Sequence, residues 1–207
     1  MNTKILLLLT KHARREFVWL ALLSLAFFLM ILPISSYIAA LPYIQNEWDL
    51  NNLEAGVVYS AYLAGYLTSA LFIVPLTDRV GPKPVFIGSA ALSLLTHILF
   101  PIIAENVATA MILRGICGVG LVGMYMPGLR IIAGRFEGSH LGTATGIFVS
   151  AQYLANSASL VLTGVLLTVF EWREAYLLLS IIALTGLPIA YKAIWSPTSL
   201  GEILSTS

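Results

Sequence analysis

Four stretches of this sequence run without a single Asp, Glu, Lys or Arg: Phe17–Asn46, Ala55–Thr77, Pro84–Ala104 and Gly138–Phe170. Each reaches or exceeds the ~20 residues that a helix needs to cross a hydrocarbon layer. A fifth, Ala175–Tyr191, is 17 residues and just long enough, and a sixth, between Glu105 and Arg130, is interrupted only by Arg114. The chain is therefore read as an all-α membrane protein with six transmembrane helices, over roughly 17–43, 55–76, 85–104, 107–132, 141–169 and 174–195. Composition agrees: 10% of the residues are charged, against about 25% in an ordinary soluble domain. A mean hydropathy of +0.90 excludes a water-soluble helical bundle, whose helices need polar faces that these stretches lack.

Basic residues set the expected orientation, because short cytoplasmic loops collect Lys and Arg. With the amino end inside, Lys4, Lys11, Arg14, Arg15, Arg79, Lys83, Arg130, Arg135 and Lys192 lie on the inner side. Arg173 alone lies outside, whereas the outer loops gather Glu47, Asp49, Glu54, Glu105, Glu171 and Glu174. Trp19, Trp48, Trp172 and Trp195 fall near the expected interfaces, where an amphipathic indole is best accommodated. Residues 1–16 are expected as a cytoplasmic segment, 17–195 as the six-helix domain and 196–207 as a cytoplasmic tail. The start of the chain does not read as a cleavable signal: Ile5–Leu9 is too short an apolar core and is followed by bases.

Net charge of +1 carries no suggestion of nucleic-acid binding. No metal site is expected, since His12, His97 and His140 are scattered and lack neighbouring acids. Cys117, the single cysteine, reads as a small packing residue. There is no phosphate-cradling glycine loop, so ATP is not the expected motor, and no cofactor is implied. Paired membrane acids and nucleophile–base arrangements are missing too, which argues against an intramembrane enzyme.

The hairpin Asp78-Arg79-Val80-Gly81-Pro82-Lys83 lies between the second and third expected helices. It resembles the signature loop of the major facilitator superfamily, Gly-x-x-x-Asp-Arg-x-Gly-x-Lys/Arg-Lys/Arg. Asp78, Arg79, Gly81 and Lys83 match, while Val74 replaces the first glycine and Pro84 the last base. Arg114-Gly115-Ile116-Cys117-Gly118-Val119-Gly120 resembles that family's fourth-helix pattern, Arg-x-x-x-Gly-x-Gly, and Glu171-Trp172-Arg173 a Trp-Arg pair before its sixth helix. The resemblance implies a secondary transporter with twelve helices in two halves, of which this sequence is similar to the amino-terminal one. It implies a small-molecule substrate held between halves, and a loop aspartate, here Asp78, that with Arg79 and Lys83 latches one conformation.

Several polar residues are candidates for that chemistry. Arg114 sits inside a span, where a charge is costly and is expected either to face a cavity or to snorkel outward. Gln152 and Asn156 lie on one arc of the fifth helix; they could contact substrate or bond to a neighbouring helix. Tyr62 and Tyr66, with Tyr37 on the first helix, could line a cavity or pack as aromatics. His97 is a weak candidate for proton transfer. Gly65, Gly118, Gly120, Gly142 and Gly146 are positions where helices could approach closely, within this bundle or against a partner. The partners implied are lipid and either a second copy of the chain or a separate carboxy-terminal half. The alternative function is a non-transporting membrane scaffold, or an incomplete product, with the same fold. The orientation has a direct check: cysteines placed at Arg79 and Lys83 should react with an impermeant thiol reagent only from the cytoplasmic side, and reaction solely from the exterior of intact cells would invert the topology.

Overall fold

A computed structural model describes residues 3–196 of the chain; residues 1–2 and 197–207, and with them nearly all of the expected tail, lie outside the described residues. Helix α1 (Thr3–Ile31) begins well before the expected start near residue 17. No Gly or Pro occurs between Thr3 and Ile31, and Leu, Ala, Lys and Arg sustain a helix, so nothing in the sequence stops it there. It ends where Pro33 removes a backbone N–H. The chain then passes through a tight turn whose bonds run three residues back, from Leu32 to Leu29, Ile34 to Ile31 and Ser36 to Pro33. Helix α2 (Ser36–Trp48) resumes the climb and closes on Asp49 in a left-handed conformation. The first expected span is thus a broken helix.

Helix α3 (Asn52–Val80) starts with a reciprocal cap: the Asn51 side chain accepts from the N–H groups of Leu53 and Glu54, and the Glu54 carboxylate accepts from the Asn51 N–H. The charged hairpin turns on Gly81, whose φ of 87° suits only glycine, and Pro82 opens helix α4 (Pro82–Ile103) as its first residue. Helix α5 (Val107–Ala133) begins at a second reciprocal cap, Asn106 with Thr109. Helix α6 (Gly138–Leu166) is followed by α7 (Trp172–Leu184) and α8 (Gly186–Ile194), which continue one another across Thr185.

Among the described residues, five stretches are long and apolar enough to cross a membrane: α1 from Arg14 together with α2, then α3, α4, α5, and α7 with α8. The sequence reading counts a sixth at α6. That helix spans 29 residues with no Asp, Glu, Lys or Arg, but its His, Gly, Ser, Thr, Gln and Asn residues dilute its hydropathy.

Helix α5 is the axis of the bundle. It packs along α3 on one side and α4 on the other, while α1 lies against α6 and α8 and α4 touches α7. Glycine sets the closeness of these contacts. A Cβ at Gly65 would fall 2.0 Å from the Gly115 carbonyl oxygen, and one at Gly118 would fall 2.2 Å from that of Tyr62. On the opposite face, a Cβ at Gly120 would meet that of Ser93 at 2.7 Å. The α1, α4 and α6 faces close over an aromatic cluster in which Phe27 stacks on Phe148 at 4.3 Å and leans on Phe86 at 6.5 Å. Gly142 and Gly146 differ from the other three expected packing glycines, because nothing lies within 4 Å of a Cβ built on either. Gly65→Ala should therefore push α3 off α5, at about 1–3 kcal/mol of stability, whereas Gly142→Ala should be tolerated. Thermal unfolding of both variants in detergent checks this, and equal melting temperatures would contradict the tight α3–α5 contact.

Candidate functional site

The break at residues 32–35 leaves a backbone carbonyl without its helical partner. In a continuous helix the N–H of Ile38 would serve Ile34, but here it donates to Ser35 instead. An unsatisfied carbonyl deep in hydrocarbon costs several kcal/mol. Arg114 meets it: its Nη1 donates to the Ile34 oxygen at 3.1 Å. The guanidinium is 1% exposed and sits over the ring of Tyr37, 5.0 Å from its centroid, and over that of Tyr62, at 4.8 Å. Tyr37 in turn donates its hydroxyl to the Ala55 carbonyl at 3.0 Å, tying α2 to the start of α3. The guanidinium lies inside the bundle, between two aromatic faces, with a backbone acceptor.

Behind Arg114 lies a polar cluster that joins α4, α5 and α7. His97 shares a hydrogen bond with the Tyr176 hydroxyl at 3.1 Å and another with Cys117 at 3.4 Å. Ser180 donates to the carbonyls of His97 and Tyr176. His97, Cys117, Tyr176 and Ser180 are all fully buried, and the Tyr176 hydroxyl lies beside Arg114. Sequence reasoning treated His97 and Cys117 as separate and passed over Tyr176. The available signal was weak: each is one polar side chain in an apolar span, on a different helix.

On the other side of the break, α6 supplies the remaining groups. Ser35 donates to the Asn156 side-chain oxygen at 3.2 Å, and Ser36 pairs with Thr163 at 2.9 Å, both hydroxyls of that pair being buried. Asn156 stays half-buried, as does Gln152 one turn earlier on the same face. Tyr66 is half-buried on α3 beside the core, one turn beyond Tyr62. The structure thus gathers Arg114, Tyr37 and Tyr62 at the break, sets Asn156 against it, and leaves Gln152 and Tyr66 partly open. Ser35 and Ser36 were missed, although a Pro-Ile-Ser-Ser sequence in mid-span is a legible mark of a break.

The charged hairpin stands apart at one end of the bundle. Asp78 accepts from Arg130 of α5 at 2.5 Å, with both side chains about half exposed, while Arg79 and Lys83 are exposed. At the opposite end the Trp172-Arg173 pair acts as a clamp. Arg173 donates to Glu47 at 2.7 Å and to the carbonyls of Pro101 and Ala104, and the Trp172 indole donates to Glu47 at 2.5 Å. The end of α2 is thereby fastened to the end of α4. Among the described residues there is no group of three or more His, Cys, Asp or Glu that could hold a metal ion.

Comparison with known proteins gives a consistent set of relatives. The family described as Major Facilitator Superfamily matches residues 23–204. The inner membrane transport protein YnfM of Escherichia coli (strain K12) is 25% identical over 165 residues, covering 77% of this chain and 39% of the relative. The uncharacterized MFS-type transporter EfpA of Mycobacterium tuberculosis is 32% identical over 158 residues, covering 76% and 29% respectively. The gentisate transporter of Corynebacterium glutamicum is 29% identical over 160 residues, covering 76% and 36%. The chain therefore spans well under half the length of the curated relatives it matches.

Loss of the Arg114 side chain should leave the Ile34 carbonyl bare. Arg114→Met is expected to lower stability by about 2 kcal/mol, the scale of a hydrogen bond from a charged donor. Chemical unfolding in mixed micelles measures it, and a variant as stable as the native chain would mean that the break needs no arginine.

Proposed function

The chain belongs to the major facilitator superfamily and is a multi-pass membrane protein, and we propose that it forms the six-span amino-terminal half of a secondary transporter. In this reading α1 with α2 is the first span, α6 the fifth and α7 with α8 the sixth. The protein lies in the cell membrane with its amino end and tail in the cytoplasm. A small solute crosses by alternating access.

The observation that carries this proposal is the break at residues 32–35, near the middle of the Arg14–Trp48 span. Transporters of several folds hold their substrates near the midplane, at helices interrupted in this way. Gln152, Asn156 and Tyr66 are the groups assigned to touch the solute, because they are polar and partly open. Tyr37, Tyr62 and Arg114 form the wall behind them and hold the break in shape.

Two faces support the need for a second half, either a separate carboxy-terminal half or another copy of the chain. On α3, Leu67, Leu71 and Phe72 are roughly 70% exposed, and on α6 the Gly142 and Gly146 positions are open. Asp78, Arg79 and Lys83 are assigned to the gating hairpin. Its exposed Asp78–Arg130 pair is weak enough to break and re-form during a rocking motion, since such pairs contribute about 0–1 kcal/mol.

The test is accessibility. In a Cys117→Ala background, Asn156→Cys and Gln152→Cys should react with a water-soluble thiol reagent, and an excess of a transported solute should slow the reaction. Silence of both cysteines from either side of the membrane would reject a solvated cavity and favour a scaffold.

A further inference from the structure

We propose that Tyr176 and His97 are positioning residues for Arg114. They hold its guanidinium on the Ile34 carbonyl through a hydrogen-bond chain that runs in one direction only. A guanidinium can donate but never accept. One N–H of Arg114 goes to Ile34, at 3.1 Å from Nη1. Among the described residues Arg114 joins no salt bridge, so its other donors depend on neutral oxygens. The Tyr176 hydroxyl, within hydrogen-bond reach of the same side chain, offers one.

That oxygen is held in place and given a direction. The Tyr176 ring is fully buried and stacks on Phe100 at 5.2 Å. Because Arg114 can only donate, the Tyr176 oxygen accepts from it, and the phenol proton must point elsewhere. His97 Nδ1 stands 3.1 Å away and accepts that proton. Nδ1 is then the bare ring nitrogen. Nε2 carries the hydrogen and donates to the Cys117 sulfur at 3.4 Å. The opposite tautomer would aim both the Nδ1 hydrogen and the guanidinium at one oxygen. It would also leave the phenol proton without an acceptor in a buried site, which native interiors avoid.

Ser180 completes the frame. Its hydroxyl meets the His97 carbonyl at 3.2 Å and the Tyr176 carbonyl at 2.9 Å, which fixes α4 against α7 beside the chain. The direction set at His97 on α4 is thus passed through Tyr176 on α7 to Arg114 on α5, and from there to the broken span. Neither Tyr176 nor His97 touches the break itself; both act through the guanidinium. The inference concerns the shape of the break and needs no transport cycle, so it can fail while the thiol-accessibility result stands.

The experiment is solid-state NMR of the chain, with any partner that co-purifies, in lipid bilayers. Ile34–Ser35 is the only Ile-Ser step in the sequence. Isoleucine labelled at its carbonyl carbon, together with nitrogen-labelled serine, therefore isolates the Ile34 carbonyl. Its signal should move when Arg114→Met removes the donor, and Tyr176→Phe should move it in the same direction. His97→Asn and His97→Gln separate positioning from packing. An asparagine oxygen can stand near the place of Nδ1 and keep the phenol proton, whereas a glutamine amide reaches the place of Nε2. The asparagine variant should retain the native Ile34 signal and the glutamine variant should lose it. Equal signals in these two variants, or an unmoved signal in Tyr176→Phe, would overturn the proposal. The tautomer is read without altering the cluster, from nitrogen-labelled histidine in a His12→Gln, His140→Gln background. One bare Nδ1 and one protonated Nε2 are expected, and a protonated Nδ1 would overturn the direction of the chain.

Discussion

A hydrogen bond from a buried arginine to a backbone carbonyl underlies the rest of this structure. The first span is interrupted at Pro33, and hydrocarbon offers nothing to the carbonyl that the interruption frees. Arg114 supplies the donor from α5, a helix distant in sequence and adjacent in space. A guanidinium suits the task better than an ammonium, since its plane can lie against Tyr37 and Tyr62 while one N–H reaches the backbone. The charge and the break each make the other tolerable at that depth.

That bond needs α5 to run close to its neighbours, and the glycines of α5 allow it. Gly115 and Gly118 face α3, and Gly120 faces α4, so the axis helix is nearly bare on both sides. In a membrane the gain comes from close van der Waals packing, because lipid chains are as apolar as leucine. A thin central helix draws α3 and α4 inward. Tyr62 then reaches the guanidinium, and the buried cluster of His97, Cys117 and Tyr176 assembles behind it. The two ends of the bundle are held differently, by Trp172 and Arg173 clasping Glu47 at one and by Glu16, Arg135 and Trp19 at the other.

Much of this was legible one residue at a time. Long charge-free stretches gave the helices, the position of Gly81 between two spans gave the hairpin, and a lone Arg in an apolar segment marked α5. What escaped was pairing. The shared arc of Gln152 and Asn156 was visible as a periodicity, yet the Ser35 that Asn156 meets was not, since hydrogen bonds between helices leave no spacing in the sequence. The same holds for His97 with Tyr176. Glycines read alike along the chain, but Gly65 is locked against α5 while Gly142 faces open space.

The amino-acid sequence by itself determined that the chain must lie in hydrocarbon and that its segments must be helical, because both follow from composition and from the backbone's need for internal hydrogen bonds. It also determined where the helices turn, through Pro, Gly and Asn at their ends. Only the tertiary structure decided that Arg114 is buried against the carbonyl of the broken span. That outcome depends on how closely three helices approach, a distance set by small residues on all of them together.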